Sequence, residues 1–265
     1  MFKERLLSGI VLVILAIGAI YTGGVLLLCA VGILSLIGQF ELYRVLKLEK
    51  SALGYAGYLA TIGYELLLYM HIDSYMEVYL FSVLLVCMTI YVIGYPQYVF
   101  GQVAMAFCGF LYVTVCLSSL YQVRMMNSGI WLVWIIFIAA WGSDTCAYCI
   151  GKLVGKHKLP SPLSPKKTIE GCVGGVLGAA LIAFIYANAC KKYLEIGTNP
   201  VLIFTILGGL GGICSQVGDL TASAIKRNYD VKDYGKLIPG HGGVMDRFDS
   251  ILFTAPLSYI LFSII

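Results

Sequence analysis

Charge is what this sequence has least of: Asp, Glu, Lys and Arg together make up 12% of the 265 residues, while 60% are hydrophobic. So little charge cannot keep long apolar runs in water, which excludes an ordinary soluble globular protein. Short strands of alternating polarity with turn signals between them are missing too, and with them the pattern of a β-barrel. The nine cysteines lie within or beside apolar segments. The lone CxxC, Cys146 with Cys149, has neither a second pair nor a zinc-spaced histidine near it, so disulfides and zinc are both unexpected. A net charge of +4 gives no reason to expect a nucleic-acid partner. Tandem repeats, low-complexity tracts and a soluble domain are lacking as well.

What remains is a succession of apolar runs, each of about 18 or more residues and long enough to cross a ~30 Å hydrocarbon layer as a helix. They fall at roughly 6–22, 24–43, 53–70, 77–94, 101–121, 129–150, 171–190, 199–225 and 248–265. The expected fold is all-α, a polytopic integral membrane protein with about nine transmembrane helices. The N-terminal run has the look of a signal peptide but leads straight into a second apolar run, so it reads as a first span. With the N-terminus inside, nine crossings place 15 of the 18 basic residues on one side and leave Arg124, Lys191 and Lys192 on the other. That asymmetry marks the basic side as cytoplasmic and the location as the cell membrane, in bacteria the inner membrane.

Residues 1–128 read as a scaffold of transmembrane helices, and 129–265 as the catalytic region with its cytoplasmic loops. In the first part, Glu41, Arg44, Lys47 and Lys50 recur every third residue, which suits a helix leaving the membrane along its surface. Glu65 falls inside the third apolar run, only about six residues from its outer end, where an interfacial structural role competes with a functional one.

Chemistry gathers in the second part. "WGSDTCAYCIG", "GKHKLPSPLSPKKTIEG", "SQVGDLTASAIKR" and the stretch from Ser223 to Asp249 all meet the cytoplasmic side. Asp144 and Asp219 sit near the ends of apolar helices, where an unpaired carboxylate is costly and a cation is expected beside it. Gln216, Asp219, Ser223 and Lys226 share one helical face, and Asp246 and Asp249 stand three apart. Oxygen donors without clustered Cys or His point to Mg²⁺ completed by water and substrate phosphate. Lys166, Lys167, Lys226, Arg227, Lys232, Lys236 and Arg247 surround these acids, and "PGHGG" precedes a helix start, where free N–H groups favour anions. Acids for a metal, bases for oxyanions and a glycine turn suit phosphoryl or nucleotidyl transfer.

From Ser223 onward, Ile225, Lys226, Arg227, Lys232, Asp233, Gly235, Ile238, Pro239, His241, Gly242, Gly243, Val244, Asp246, Arg247, Phe248 and Asp249 match a signature. In these residues, and in "SDTCAY" and "SPKKTIEG", the chain resembles the phosphatidate cytidylyltransferases (CDP-diacylglycerol synthases) over about residues 140–250. The resemblance implies transfer of CMP from CTP to phosphatidate, giving CDP-diacylglycerol and pyrophosphate. It implies Asp219 and Asp246 as leading metal ligands, with Asp249 and Asp144 beside them, for Mg²⁺ and a second, monovalent cation such as K⁺. Lys226, Arg227 and Lys167 are assigned to phosphate oxygens, Gly242 and Gly243 to the triphosphate, and His241 to the pyrophosphate or to the turn itself. Ser143, Lys166, Glu170, Ser223, Lys232, Asp233 and Arg247 complete the substrate-binding set. CTP, phosphatidate and membrane lipids are the expected partners.

Gly174 with Gly178, and Gly208 with Gly212, form small faces that let the seventh and eighth helices approach closely or else make a homodimer contact. Two other functions fit parts of the pattern. A CTP-dependent polyprenol or phytol kinase would need a base for its alcohol nucleophile, and an anion transporter would place its polar residues near mid-membrane in paired halves.

Overall fold

The computed structural model describes residues 2–161, 163–165, 167–237 and 242–265. Among these residues the regular elements are all helices, and an isolated β-bridge pairs Lys158 with Thr168. The long helices are α1 (Phe2–Thr22), α2 (Gly24–Val45), α3 (Ala52–Tyr69), α4 (Met76–Ile93), α5 (Phe100–Met125), α6 (Gly129–Val154), α7 (Ile169–Cys190) and α8 (Pro200–Asn228). A one-turn helix α9 (Met245–Phe248) and α10 (Ile251–Ile264) end the chain. Sequence-local chemistry sets several boundaries. Ser51, Thr168 and Asn199 each cap a helix by accepting from the backbone N–H three residues on, and Pro200 opens α8 where its missing N–H costs nothing.

Six helices, α2 and α4 through α8, are long and apolar enough among the described residues to span a membrane. The chain is therefore a multi-pass helical membrane protein, and the count of about nine is not established by length and composition. The other three expected spans coincide with α1, α3 and α10. Among the described residues, Val13–Thr22 of α1 and the 14 residues of α10 are shorter apolar helices, and α3 carries Glu65. Large side chains such as Leu59, Phe81, Leu85, Leu153 and Leu177 stand exposed on the helix surfaces, as lipid-facing residues must.

The chain divides into two compact units. The first comprises Met1–Ser118 and Val231–Arg247. Its interior holds a ladder of hydrogen bonds between helices: Gln39 donates to the Tyr43 hydroxyl (2.9 Å), which donates to the Ala106 carbonyl (2.6 Å). Thr61 donates to Gln39 (2.6 Å) and lies 2.7 Å from Thr114. Glycines make room for the fully buried Tyr43 ring, since a Cβ at Gly57 or Gly109 would collide with it. Glu65 accepts from Ser118 at 2.8 Å.

The expected surface helix after Glu41 is not formed. The α-helix stops at Val45, Lys47 adopts a left-handed φ of 59°, and Glu41 is only 3% exposed. The three-residue spacing of charges is real, but Glu41 is buried while Arg44, Lys47 and Lys50 are exposed, so the four do not share one wet helical face.

The second unit comprises Ser119–Asp230 and Phe248–Ile265. Here α8 runs against α7 at glycine: a Cβ on Gly208 would sit 2.8 Å from the Ala179 carbonyl, and one on Gly212 would sit 3.2 Å from the Val176 Cα. Gly174 and Gly178 face α6 instead, against Ile150 and Cys146. The predicted approach of the seventh and eighth helices is therefore carried by the α8 glycines alone. Both small faces are filled from within the unit, which removes them as a dimer contact. A π-helical turn at Ile138–Gly142 immediately precedes Ser143 and Asp144, and such turns are frequent at functional sites.

Candidate active site

In the second unit, α8 carries Asp219 near its polar end, α6 carries Asp144 just after the π turn, and Asp249 lies two residues before α10. The loop from α6 returns toward α7 as a narrow pair of extended segments. Leu159 N–H donates to the Lys167 carbonyl and Ile169 N–H to that of His157. This return sets Lys167 so that its ammonium lies 2.6 Å from the Asp219 carboxylate, with both side chains half-buried.

Asp144 interacts electrostatically with Lys167 and Asp219, and Asp249 with Asp219, Asp144 and Lys226. The three acids therefore form one charged cluster. Burial pushes the Asp249 carboxyl up to about 7, and the charge of Asp219 adds to the rise. The Ser250 N–H, 2.7 Å away, opposes it, as does Lys226. Among the described residues no three of His, Cys, Asp and Glu converge closely enough to hold an ion by themselves. Mg²⁺ seldom requires that, because it commonly takes one or two carboxylates and completes its shell with water and substrate phosphates.

The helices beneath the cluster are tied by polar contacts. Gln216 donates to the Cys172 carbonyl at 2.8 Å, and Ser143, fully buried, donates to the Gly212 carbonyl at 3.3 Å. Ser143 therefore sits in the packing under the acids. Glu170 turns to His157, whose Nδ1 lies 2.5 Å from its carboxylate and whose backbone N–H donates to it at 3.2 Å. This partnership was not visible from spacing. Ser223 and Lys226 follow Asp219 on α8, both half-buried, with Arg227 exposed beside them.

The signature residues from Lys232 to Arg247 belong to the first unit. Asp246 accepts through one oxygen from the N–H groups of Tyr234 (2.8 Å) and Gly243 (3.0 Å). Gly242 has φ +87°, a conformation that side chains other than glycine rarely adopt, and a Cβ there would approach the Asp246 carboxylate. Lys232, Asp233 and Arg247 are exposed. Lys166 and His241 lie outside the described residues.

Sequence reading missed Glu41. Its carboxylate accepts from the Met245 N–H at 3.0 Å, and Arg44, one turn on, donates to the Tyr234 carbonyl. An acid and a base three apart in an otherwise apolar helix end were the only signal.

With this geometry in view, the chain can be set beside known proteins. Residues 3–265 match the model of the cytidylyltransferase family. The chain belongs to that family. It is 33% identical to a phosphatidate cytidylyltransferase of Bacillus subtilis over 99% of this chain and 98% of the relative. A protein of the same name from Staphylococcus aureus is 31% identical, and one from Staphylococcus saprophyticus 30%, each with 98% of both chains covered.

Proposed function

We propose that the chain transfers the cytidylyl group of CTP to phosphatidate, producing CDP-diacylglycerol and pyrophosphate. The observation that carries this reading is the nearly full-length match to relatives named phosphatidate cytidylyltransferase. The clustering of Asp144, Asp219 and Asp249 with Lys167 supports it.

The chemistry asks little covalent work of the protein. The second ionisation of a phosphate monoester has a pKa of about 6, so phosphatidate arrives largely as a dianion. One of its oxygens attacks the α-phosphorus of CTP. The bond from that phosphorus to the β-bridging oxygen breaks, and its electron pair leaves on pyrophosphate. What must be supplied is orientation and neutralisation of charge. Asp219, with Asp144 and Asp249, would hold Mg²⁺, and a monovalent cation such as K⁺ fits the same negative cluster. The ion's chemistry would be to screen the triphosphate. Lys167, Lys226 and Arg227 hold phosphate oxygens and orient the leaving group. In its own unit, Asp246 holds the turn at Gly242 and Gly243.

We assign nine crossings, with α1, α3 and α10 added to the six long helices, and place Lys167, Asp219 and Lys226 at the cytoplasmic surface. The 15-to-3 division of basic residues supports that orientation. It brings water-soluble CTP and membrane-borne phosphatidate to one depth.

The test uses purified protein, phosphatidate, Mg²⁺ and CTP labelled in the cytosine ring. Label should enter the lipid phase as CDP-diacylglycerol and depend on Mg²⁺. Label confined to water, with the γ-phosphate of CTP entering the lipid, would instead identify a lipid kinase.

A further inference from the structure

Glu65, near the end of α3 in the first unit, takes no part in the chemistry proposed above. Its surroundings follow from the register of three helices. Gln39 on α2, Thr61 on α3 and Thr114 on α5 meet in one polar layer. One turn farther along α3 and α5, Ser118 donates to Glu65 Oε1 at 2.8 Å, and a Cβ on Gly32 of α2 would lie 3.4 Å from the Glu65 Cγ. Gly32, Glu65 and Ser118 therefore make a second layer. Ser35, fully buried, stands three residues after Gly32 and four before Gln39, so it falls between the layers on the face of α2 that carries both. The π-helical turn Leu111–Val115 of α5 lies beside the same space, and such turns are frequent at functional sites.

Glu65 Oε2 and Ser35 Oγ are buried without a hydrogen-bond partner among the described residues, so they do not bond each other. Counter-charge is scarce here as well. α3 and α4 contain no Lys or Arg, and those of α2 and α5, Arg44 and Arg124, stand in the last turns of their helices. A carboxylate without a cation is costly at such a site, and water alone would satisfy both oxygens without neutralising the charge. A monovalent ion does both, whereas a divalent one would replace the negative charge with a positive one. We propose that Glu65, Ser35 and Ser118 form a site for one alkali-metal cation, Na⁺ or K⁺, between α2, α3 and α5. Glu65 supplies the charge, and the two hydroxyls supply neutral oxygens of the hard type such ions take. Ser118 donates its proton to Oε1, which leaves its lone pairs for the ion. At 1.5 Å per residue the site lies about 6 Å along α3 from Tyr69, which gives the ion a short entry path.

The experiment follows thermal unfolding of the full-length protein in detergent, with a chelator to remove divalent ions, at about pH 8, where exposed carboxylates are ionised. NaCl, KCl and choline chloride are compared at equal ionic strength, so that screening is the same in each. An ion held by the folded state should raise Tm by about 2–4 °C when Na⁺ or K⁺ replaces choline. Glu65→Gln keeps the shape and removes the charge, so it should lose that rise. Ser35→Ala should need about tenfold more ion to reach it. The acid cluster of the second unit can also respond to ions, so the part of the rise that Glu65→Gln removes is the decisive quantity. A Tm identical in the three salts overturns the proposal and leaves Glu65 neutralised by a proton. An undiminished rise in Glu65→Gln overturns it too, because the ion then sits elsewhere. Should Glu65→Gln not fold, Ser35→Ala decides alone, and an unchanged ion dependence in it overturns the proposal. The readout needs no cytidylyl transfer, so failure of the activity assignment would not alter it.

Discussion

Asp219 concentrates the electrostatics of the second unit: it pairs with Lys167 and raises the charge burden on Asp249. Asp219→Asn keeps the volume and removes the charge, so most CDP-diacylglycerol synthesis should disappear while the protein still reaches the membrane. Activity within a few-fold of the unaltered enzyme would remove Asp219 from the proposed metal site. Arg227, exposed near the end of α8, offers phosphate a planar fork that a lysine cannot copy. Arg227→Lys should therefore cost about tenfold in kcat/KM, equivalent to about 1.4 kcal/mol, and excess substrate should not restore it. Asp249 offers a test in stability. Its folded pKa of about 7 lies above the ordinary carboxylate range, so its ionised form opposes folding. The relative stability it gives is present at low pH and is lost as pH rises through about 7. In chelator, Asp249→Asn should raise Tm at about pH 8 and leave it nearly unchanged near about pH 4. Its activity should fall even where its Tm rises. A variant no more stable at the higher pH would show that the carboxylate's burial carries no cost.

At the scale of elements, the contact of α7 with α8 depends on which glycine faces which helix. Gly208 lies against the Ala179 carbonyl and the Ala183 methyl, whereas a Cβ at neighbouring Gly209 would meet nothing nearer than 3.8 Å. Gly208→Val should destabilise the protein by roughly 1–3 kcal/mol, because backbone cannot move aside as a flexible side chain can. Gly209→Ala should be tolerated or mildly stabilising, since it lowers the backbone entropy of the unfolded chain. Thermal denaturation in one detergent separates the two, and equal Tm values would remove close helix approach as the reason for the glycine. The motif spacing revealed that two pairs of glycines share helical faces. It did not reveal that Gly174 and Gly178 serve α6, because a helix face has no partner until a third helix is in place.

For the whole molecule, orientation in the membrane is the open quantity that the charges decide. The last turn of α6 carries Lys152 and the loop that follows carries Lys156, Lys158, Lys166 and Lys167, and their expected side is the cytoplasm. A cysteine placed at Ser161 in a background free of reactive thiols should resist an impermeant reagent in intact cells and react after the membrane is opened. Labelling from outside would reverse the topology. The hydrophobic runs, the helical class, the acids near helix ends and the signature from Ser223 to Asp249 were all legible from the chain alone. Each depends on local properties: run length against membrane thickness, spacing against the helical repeat, and residue type against the chemistry of phosphate. Tertiary structure alone decided that Lys167 meets Asp219, that Glu170 meets His157, and that Glu41 meets the Met245 N–H some 200 residues away in sequence. Those pairings depend on how helices pack and loops return. An apolar helix carries little information about its neighbours, because almost every one of its faces can be buried against lipid or protein at similar cost.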